Sequence, residues 1–241
     1  MDFLSPALPA GWALASGLVA AFLLARAALR APWALLADGL RLHGWIGASF
    51  AMALAWLLSA GPVEGLALHL IATPLVALMF GRDLACMAAL PAVFAALFWR
   101  GGEWSGAGAT WLLLGWLPAL LQDGLRRLAH ARLPRNIFVF IFANGFFVPG
   151  AVFALTLLAA TGTHVAAGTA RWSRLADGFV PYGLLLSWGE AFLTGLLTAI
   201  FTAYLPRWMV TFDDAAYLRP PPAPRQRLTA RIARATRPRR R

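Results

Sequence analysis

Lysine is missing from this chain: all 21 basic residues are arginine. A Walker A phosphate loop and a Schiff-base nucleophile both use that amine, so any ATP hydrolysis linked to the chain has to occur on another polypeptide. Cysteine is almost as scarce. The single Cys86 sits in an apolar run, which excludes a disulfide framework and CxxC or zinc-type spacing and reads as a buried free thiol. No GxSxG elbow, HExxH pair or intramembrane carboxylate pair occurs, so an enzyme is not expected. Residues 1–9 carry Asp2 and no basic residue, unlike the n-region of a cleaved signal peptide, and the N-terminus is expected to be retained.

What is present is apolar. Hydrophobic residues make up 60% of the chain, charged residues 13%, and the mean hydropathy is +0.68, more apolar surface than one water-soluble core can hide. A span crossing the ~30 Å hydrocarbon core needs about 20 residues, with about 17 at the short end. Seven charge-poor runs come near that length: 9–25, 44–60, 65–80, 84–99, 105–122, 137–160 and 179–204. The expected fold is therefore all-α, a polytopic membrane helical bundle of about seven transmembrane helices. The third and fourth runs are short and separated only by Gly81, Arg82 and Asp83, so they read as a tight helical hairpin or partly re-entrant segments.

Positive-inside counting sets the orientation. With the N-terminus outside and the C-terminus cytoplasmic, 18 of the 21 arginines fall on the inner side and only Arg100, Arg171 and Arg174 on the outer. Plasma (inner) membrane is the expected location. Residues 1–218 form the transmembrane domain. Residues 219–241 hold nine arginines together with Pro220, Pro221, Pro222 and Pro224, the composition of a disordered cytoplasmic tail drawn to anionic lipid. No aromatic residue is interleaved with that charge, so nucleic acid is not an expected partner.

Small residues recur every fourth position in two spans: Ala13, Gly17, Ala21 and Ala25 in the first, Ala191, Gly195, Ala199 and Ala203 in the last. They let helix backbones approach closely, within the bundle or against a separate membrane subunit. Glu190 lies about eleven residues into the last span, roughly 16 Å deep at 1.5 Å per residue. It reads either as a packing residue hydrogen-bonded to Asn144 or as a substrate- or proton-linked carboxylate. His69 is about four residues inside the outer end of the third run. Its imidazole, the Met1 amine and the Asp2 carboxylate form a plausible N/O ligand set for a divalent transition metal; the alternative is a satisfied packing histidine. His43 falls at the inner end of its span, and His130 and His164 at loops or helix ends, so none joins that set. Asp213 and Asp214 are expected to cap a short surface helix or meet basic groups of a partner.

Several segments together resemble the CbiM-like energy-coupling-factor permeases, in a short branch of that family. They are His43-Gly-Trp-Ile-Gly-Ala48, Leu68-His69 followed by Phe80-Gly81, the run 137–144 ending in Asn144, Gly189-Glu190-Ala191-Phe192-Leu193-Thr194-Gly195, and Phe212-Asp213-Asp214. The resemblance covers residues 1–218. It implies a seven-helix substrate-binding subunit that captures Co²⁺ or Ni²⁺ at the outer face, joined to a second transmembrane subunit and to cytoplasmic ATPase subunits. It also implies a site built from the N-terminal amine, a histidine after the initiator methionine and a later histidine, which here is His69. Asp2 stands in the second position instead, and Leu70-Ile71-Ala72-Thr73-Pro74 replaces a small polar stretch, so the donor set is harder. The alternative reading is a membrane scaffold of the same fold that has lost metal binding. A third reading, intramembrane catalysis at Glu190, requires a second polar group at the same depth.

Overall fold

Proline and capping residues punctuate the chain into eight helices and one hairpin among the described residues of the computed structural model, which are 8–63, 66–213 and 217. Met1, Asp2, Asp214 and the 219–241 tail lie outside them. Helix α1 (Ala10–Arg30) stops before Pro32, which disfavours helical backbone in the residue preceding it. The Asp38 carboxylate accepts from Leu40 N–H and opens α2 (Gly39–Leu57). Next come the antiparallel strands β1 (Ala60–Val63) and β2 (Leu66–Leu68), the short helix α3 (Thr73–Phe80) and α4 (Arg82–Arg100). Helix α5 runs continuously over 107–132, α6 over Ile137–Ala166, α7 over Trp172–Gly178 and α8 over Val180–Tyr204. Four of these, α1, α4, α6 and α8, are long and apolar enough to cross a membrane.

The run at 65–80 is not one helix. Its first residues belong to the β-hairpin, residues 69–72 carry no regular structure, and only the eight residues of α3 are helical. Ala72, at the N-terminal border of α3, has φ of 58°, a left-handed backbone with no glycine to relieve it. All eight residues of α3 are buried. This third segment is thus a short helix entered through irregular chain and enclosed by its neighbours, the setting in which non-helical backbone is tolerated at membrane depth.

The core is centred on α4. Ala85, Ala88, Ala89, Ala92 and Ala96 are fully buried, and their small side chains let α2, α5 and α1 close in. Close approach is tightest where α1 crosses α5: a Cβ on Gly108 would lie 2.8 Å from the Gly17 Cα. Helices α6 and α8 pack in the same manner. A Cβ on Gly150 would stand 3.1 Å from the Ala191 methyl, and one on Gly195 3.2 Å from the Phe146 ring. Ala13 packs against a small cluster of Leu8, Ala109 and Ala167, Ala199 is half-buried on α8, and Ala21 is exposed.

Two helices widen into π-helical turns for a reason written in the sequence. In α5 the π turn Leu112–Trp116 precedes Pro118, and in α6 the π turn Phe140–Phe147 precedes Pro149. A proline four residues on cannot donate to a helical carbonyl, so Leu114 and Gly145 lose their α-helical partners. The Thr73 hydroxyl donates to the Leu114 carbonyl at 2.7 Å, and Gln122 Nε2 donates to the Asn144 carbonyl at 3.0 Å. The first of these bonds ties α3 directly to α5.

Candidate functional site

The loop 69–72 is held from three sides. Glu190, 1% exposed on α8, accepts from the N–H of Ile71 with one carboxylate oxygen and from the N–H of Ala72 with the other, both at 2.9 Å. Trp56 on α2 donates its indole N–H to the Ile71 carbonyl at 2.9 Å. Its ring also lies beside the imidazole of His69, centroids 5.1 Å apart. The Arg100 guanidinium donates in turn to the Trp56 carbonyl, which links the C-terminal ends of α2 and α4. A left-handed residue at this depth would leave two backbone donors without partners. The carboxylate supplies both acceptors, a job two water molecules would do outside the membrane.

His69 is 2% exposed, and its Nδ1 lies 3.0 Å from the Leu70 carbonyl. With the proton on Nδ1, the ring donates to that carbonyl and Nε2 carries the lone pair. Histidines that bind metal are commonly oriented by this kind of outer contact. Met1 and Asp2 lie outside the described residues, and no cluster of three or more His, Cys, Asp or Glu occurs among those described.

Glu190 and Asn144 are not hydrogen-bonded to each other. Asn144 is buried within the π turn of α6, and its main-chain carbonyl is taken by Gln122. Cys86 is buried. His43 Nδ1 lies 2.5 Å from the Gly39 carbonyl, and His164 Nδ1 lies 2.8 Å from the Thr169 hydroxyl. His130 pairs at 2.9 Å with the Tyr217 hydroxyl.

The opposite end of α3 is closed by the chain after α8. Helix ends leave carbonyls unpaired, and here the Thr211 hydroxyl takes that of Leu78 at 2.6 Å while Val210 N–H takes that of Met79 at 2.8 Å. Trp208 donates to the Leu40 carbonyl at 3.1 Å and fills a notch over Gly44, where a Cβ would come within 2.7 Å of the indole. Phe212 and Tyr217 pack on Phe140. Burial pushes the Tyr217 phenol above its ordinary value, against the opposing pull of Arg126 and Arg135. Arg82, Asp83, Asp123, Arg126 and Arg127 line a neighbouring polar cleft of about 240 Å³.

Both ends of α3 are therefore anchored by side chains and backbone from α2, α5, α8 and the segment beyond. Against this geometry, the family model for the cobalt uptake substrate-specific transmembrane region matches residues 5–208. This chain belongs to the CbiM family. A crystal structure described as a truncated transition metal transporter shares the fold, with a TM-score of 0.68 at 15% identity, covering 85% of this chain and 99% of that one. No curated protein matches the sequence. The CbiM match takes in His69, Asn144 and Glu190 and leaves the arginine tail outside.

Sequence reasoning missed Trp56, Thr73 and Gln122, each of which serves a carbonyl on another segment. The signal for Thr73 was Pro118, which leaves the Leu114 carbonyl in need of a donor; Gln122 serves Asn144, one residue before the Gly145 carbonyl that Pro149 frees, and carried no such mark.

Proposed function

We propose that this chain is the substrate-binding membrane subunit of a transition-metal uptake system, taking Co²⁺ or Ni²⁺ at the outer face of the plasma membrane. A second transmembrane subunit and cytoplasmic ATPase subunits complete the energy-coupling-factor transporter. The observation that carries this reading is the construction around His69: one imidazole, oriented by Leu70 and Trp56, on a backbone clamped by a buried carboxylate. Family membership supports the choice of ion. The Met1 amine and Asp2 carboxylate are the remaining ligands in this reading, and Glu190 is a positioning residue, holding the peptide two residues beyond His69.

Seven crossings with the N-terminus outside suit the same geometry. The eight helical residues of α3 cover about 12 Å at 1.5 Å each, and loop 69–72 carries the chain into them, so in this reading the two together make the third crossing. His69 then lies at the outer end of that crossing and the arginine-lined cleft at the inner end. The fifth crossing ends at residue 122, which puts Asp123 in the cytoplasmic layer. Small-residue positions left exposed on α1, such as Ala21, are candidate contacts for the second membrane subunit.

Equilibrium binding of Ni²⁺ and Co²⁺ to the purified protein tests the reading, with His69→Ala, Asp2→Ala and the double variant in parallel. Tight binding by wild type and at least a tenfold loss in His69→Ala are expected. Wild-type binding no tighter than that of the double variant would overturn metal capture and leave the scaffold reading.

A further inference from the structure

Helices α2, α3 and α8 do not close on one another completely. Between them runs a groove of about 280 Å³, with Gly47, Ala48 and Ala51 on one wall, Leu193 and Leu197 on the other, and Val76 at its floor. It extends along α2 from Gly44 to Ala55, eleven residues and so about 16 Å, half of a ~30 Å hydrocarbon core. The groove is therefore one leaflet long. A long apolar groove with glycine and alanine along one wall suits a hydrocarbon chain.

Charge marks one end. Arg41 Nε donates to the Arg207 carbonyl at 3.1 Å, with the Asp38 carboxylate 3.8 Å away, and Arg207 itself is exposed. Beside them Trp208 lines the groove end with its indole N–H on the Leu40 carbonyl, a placement that suits the headgroup layer. Two arginines against one carboxylate leave that mouth positive. The other end reaches Ala72, whose N–H is held by Glu190.

We propose that this groove holds one acyl chain of an anionic phospholipid, whose phosphate lies against Arg41 and Arg207. The proposal depends on the orientation argued above only for the leaflet, which is the inner one. A chain seated there packs over Leu75, Val76 and Met79 and ends beneath the Ala72 peptide. Lipid thus becomes part of the wall beside this crossing.

Native mass spectrometry of the full chain, released from membranes of equal phosphatidylglycerol and phosphatidylethanolamine with identical tails, tests this. Wild type should retain one phosphatidylglycerol. Gly47→Leu and Ala51→Phe extend into the groove. A Cβ on Gly47 meets nothing within 4 Å and Ala51 is exposed, so at least one variant folds, as its melting curve will show. Each folded variant should lose the retained lipid at least tenfold. Arg41→Gln and Arg207→Gln should each lower the preference for phosphatidylglycerol about fivefold, the factor matching ~1 kcal/mol per arginine near an anionic surface. Undiminished retention in the filled variants would overturn the proposal, as would equal retention of the two lipids by wild type. Loss of a co-purifying membrane subunit with lipid retention unchanged would assign the groove to a protein partner instead.

Discussion

At Glu190 a single carboxylate does the work of two hydrogen-bond acceptors, and substitutions there separate charge from shape. Glu190→Gln keeps one acceptor and turns an amide NH₂ toward the other backbone N–H. The loss of a charge-assisted bond at a buried site is worth about 1.5–3 kcal/mol. A lower melting midpoint in detergent is expected, together with Ni²⁺ affinity roughly tenfold weaker as His69 loses its register. Unchanged melting and binding in Glu190→Gln would show that the two N–H groups find other acceptors. Asp123 offers a pH test outside the spans. Burial pushes its carboxyl up, but hydrogen bonds from Arg127 and Arg126 at 2.7 and 2.8 Å outweigh it, and the value falls below the ordinary 3.8. A depressed folded-state value stabilises above the unfolded value and is lost as pH falls through the folded one. Asp123→Asn should therefore remove part of the acid limb of the stability profile below about pH 4 and leave its alkaline side unmoved.

Among the elements, α3 is the least self-sufficient, because eight residues cannot satisfy their own ends. Thr73→Val strips the Leu114 carbonyl of its donor and should destabilise by about 0.6–1.7 kcal/mol, the range found for hydrogen bonds between membrane helices. Pro118→Ala restores an N–H to α5, so Thr73→Val should cost less in that background; equal cost in both would show that the π turn has another origin. Gly108→Val has no such rescue. Its Cβ would meet the Gly17 backbone at 2.8 Å, and α1 should detach from α5, measurable as loss of folded protein after solubilisation. Hydropathy located α1, α4, α6 and α8 well, since long apolar runs in lipid leave the backbone no alternative to helix. It could not show the hairpin or the irregular 69–72, because it counts apolar residues and is blind to backbone state. Ala72, without glycine at a left-handed position, carried no mark at all. Glu190 was legible as a costly buried charge, but its partners were main-chain N–H groups, which have no signature in sequence.

For the molecule as a whole, α3 divides one half, with His69, Trp56 and Arg100, from another closed by residues 205–213, and in the proposed orientation the first of these is the outer one. The proposed orientation can be read chemically. Cys86 is the single cysteine of the sequence, so a Cys86→Ser background is silent to an impermeant maleimide. Ser173→Cys in that background should label from outside intact cells, and Arg135→Cys only after permeabilisation. The reverse pattern would invert the topology. The family match covers the membrane domain and supports cargo and class together, while the ligand atoms rest on His69 and on two residues outside those described. X-ray absorption at the nickel edge of the loaded protein addresses that point most directly. The account predicts one imidazole in the wild-type spectrum, abolished by His69→Ala and disordered by Glu190→Gln; a nickel shell of oxygen donors alone, indifferent to His69, would contradict it.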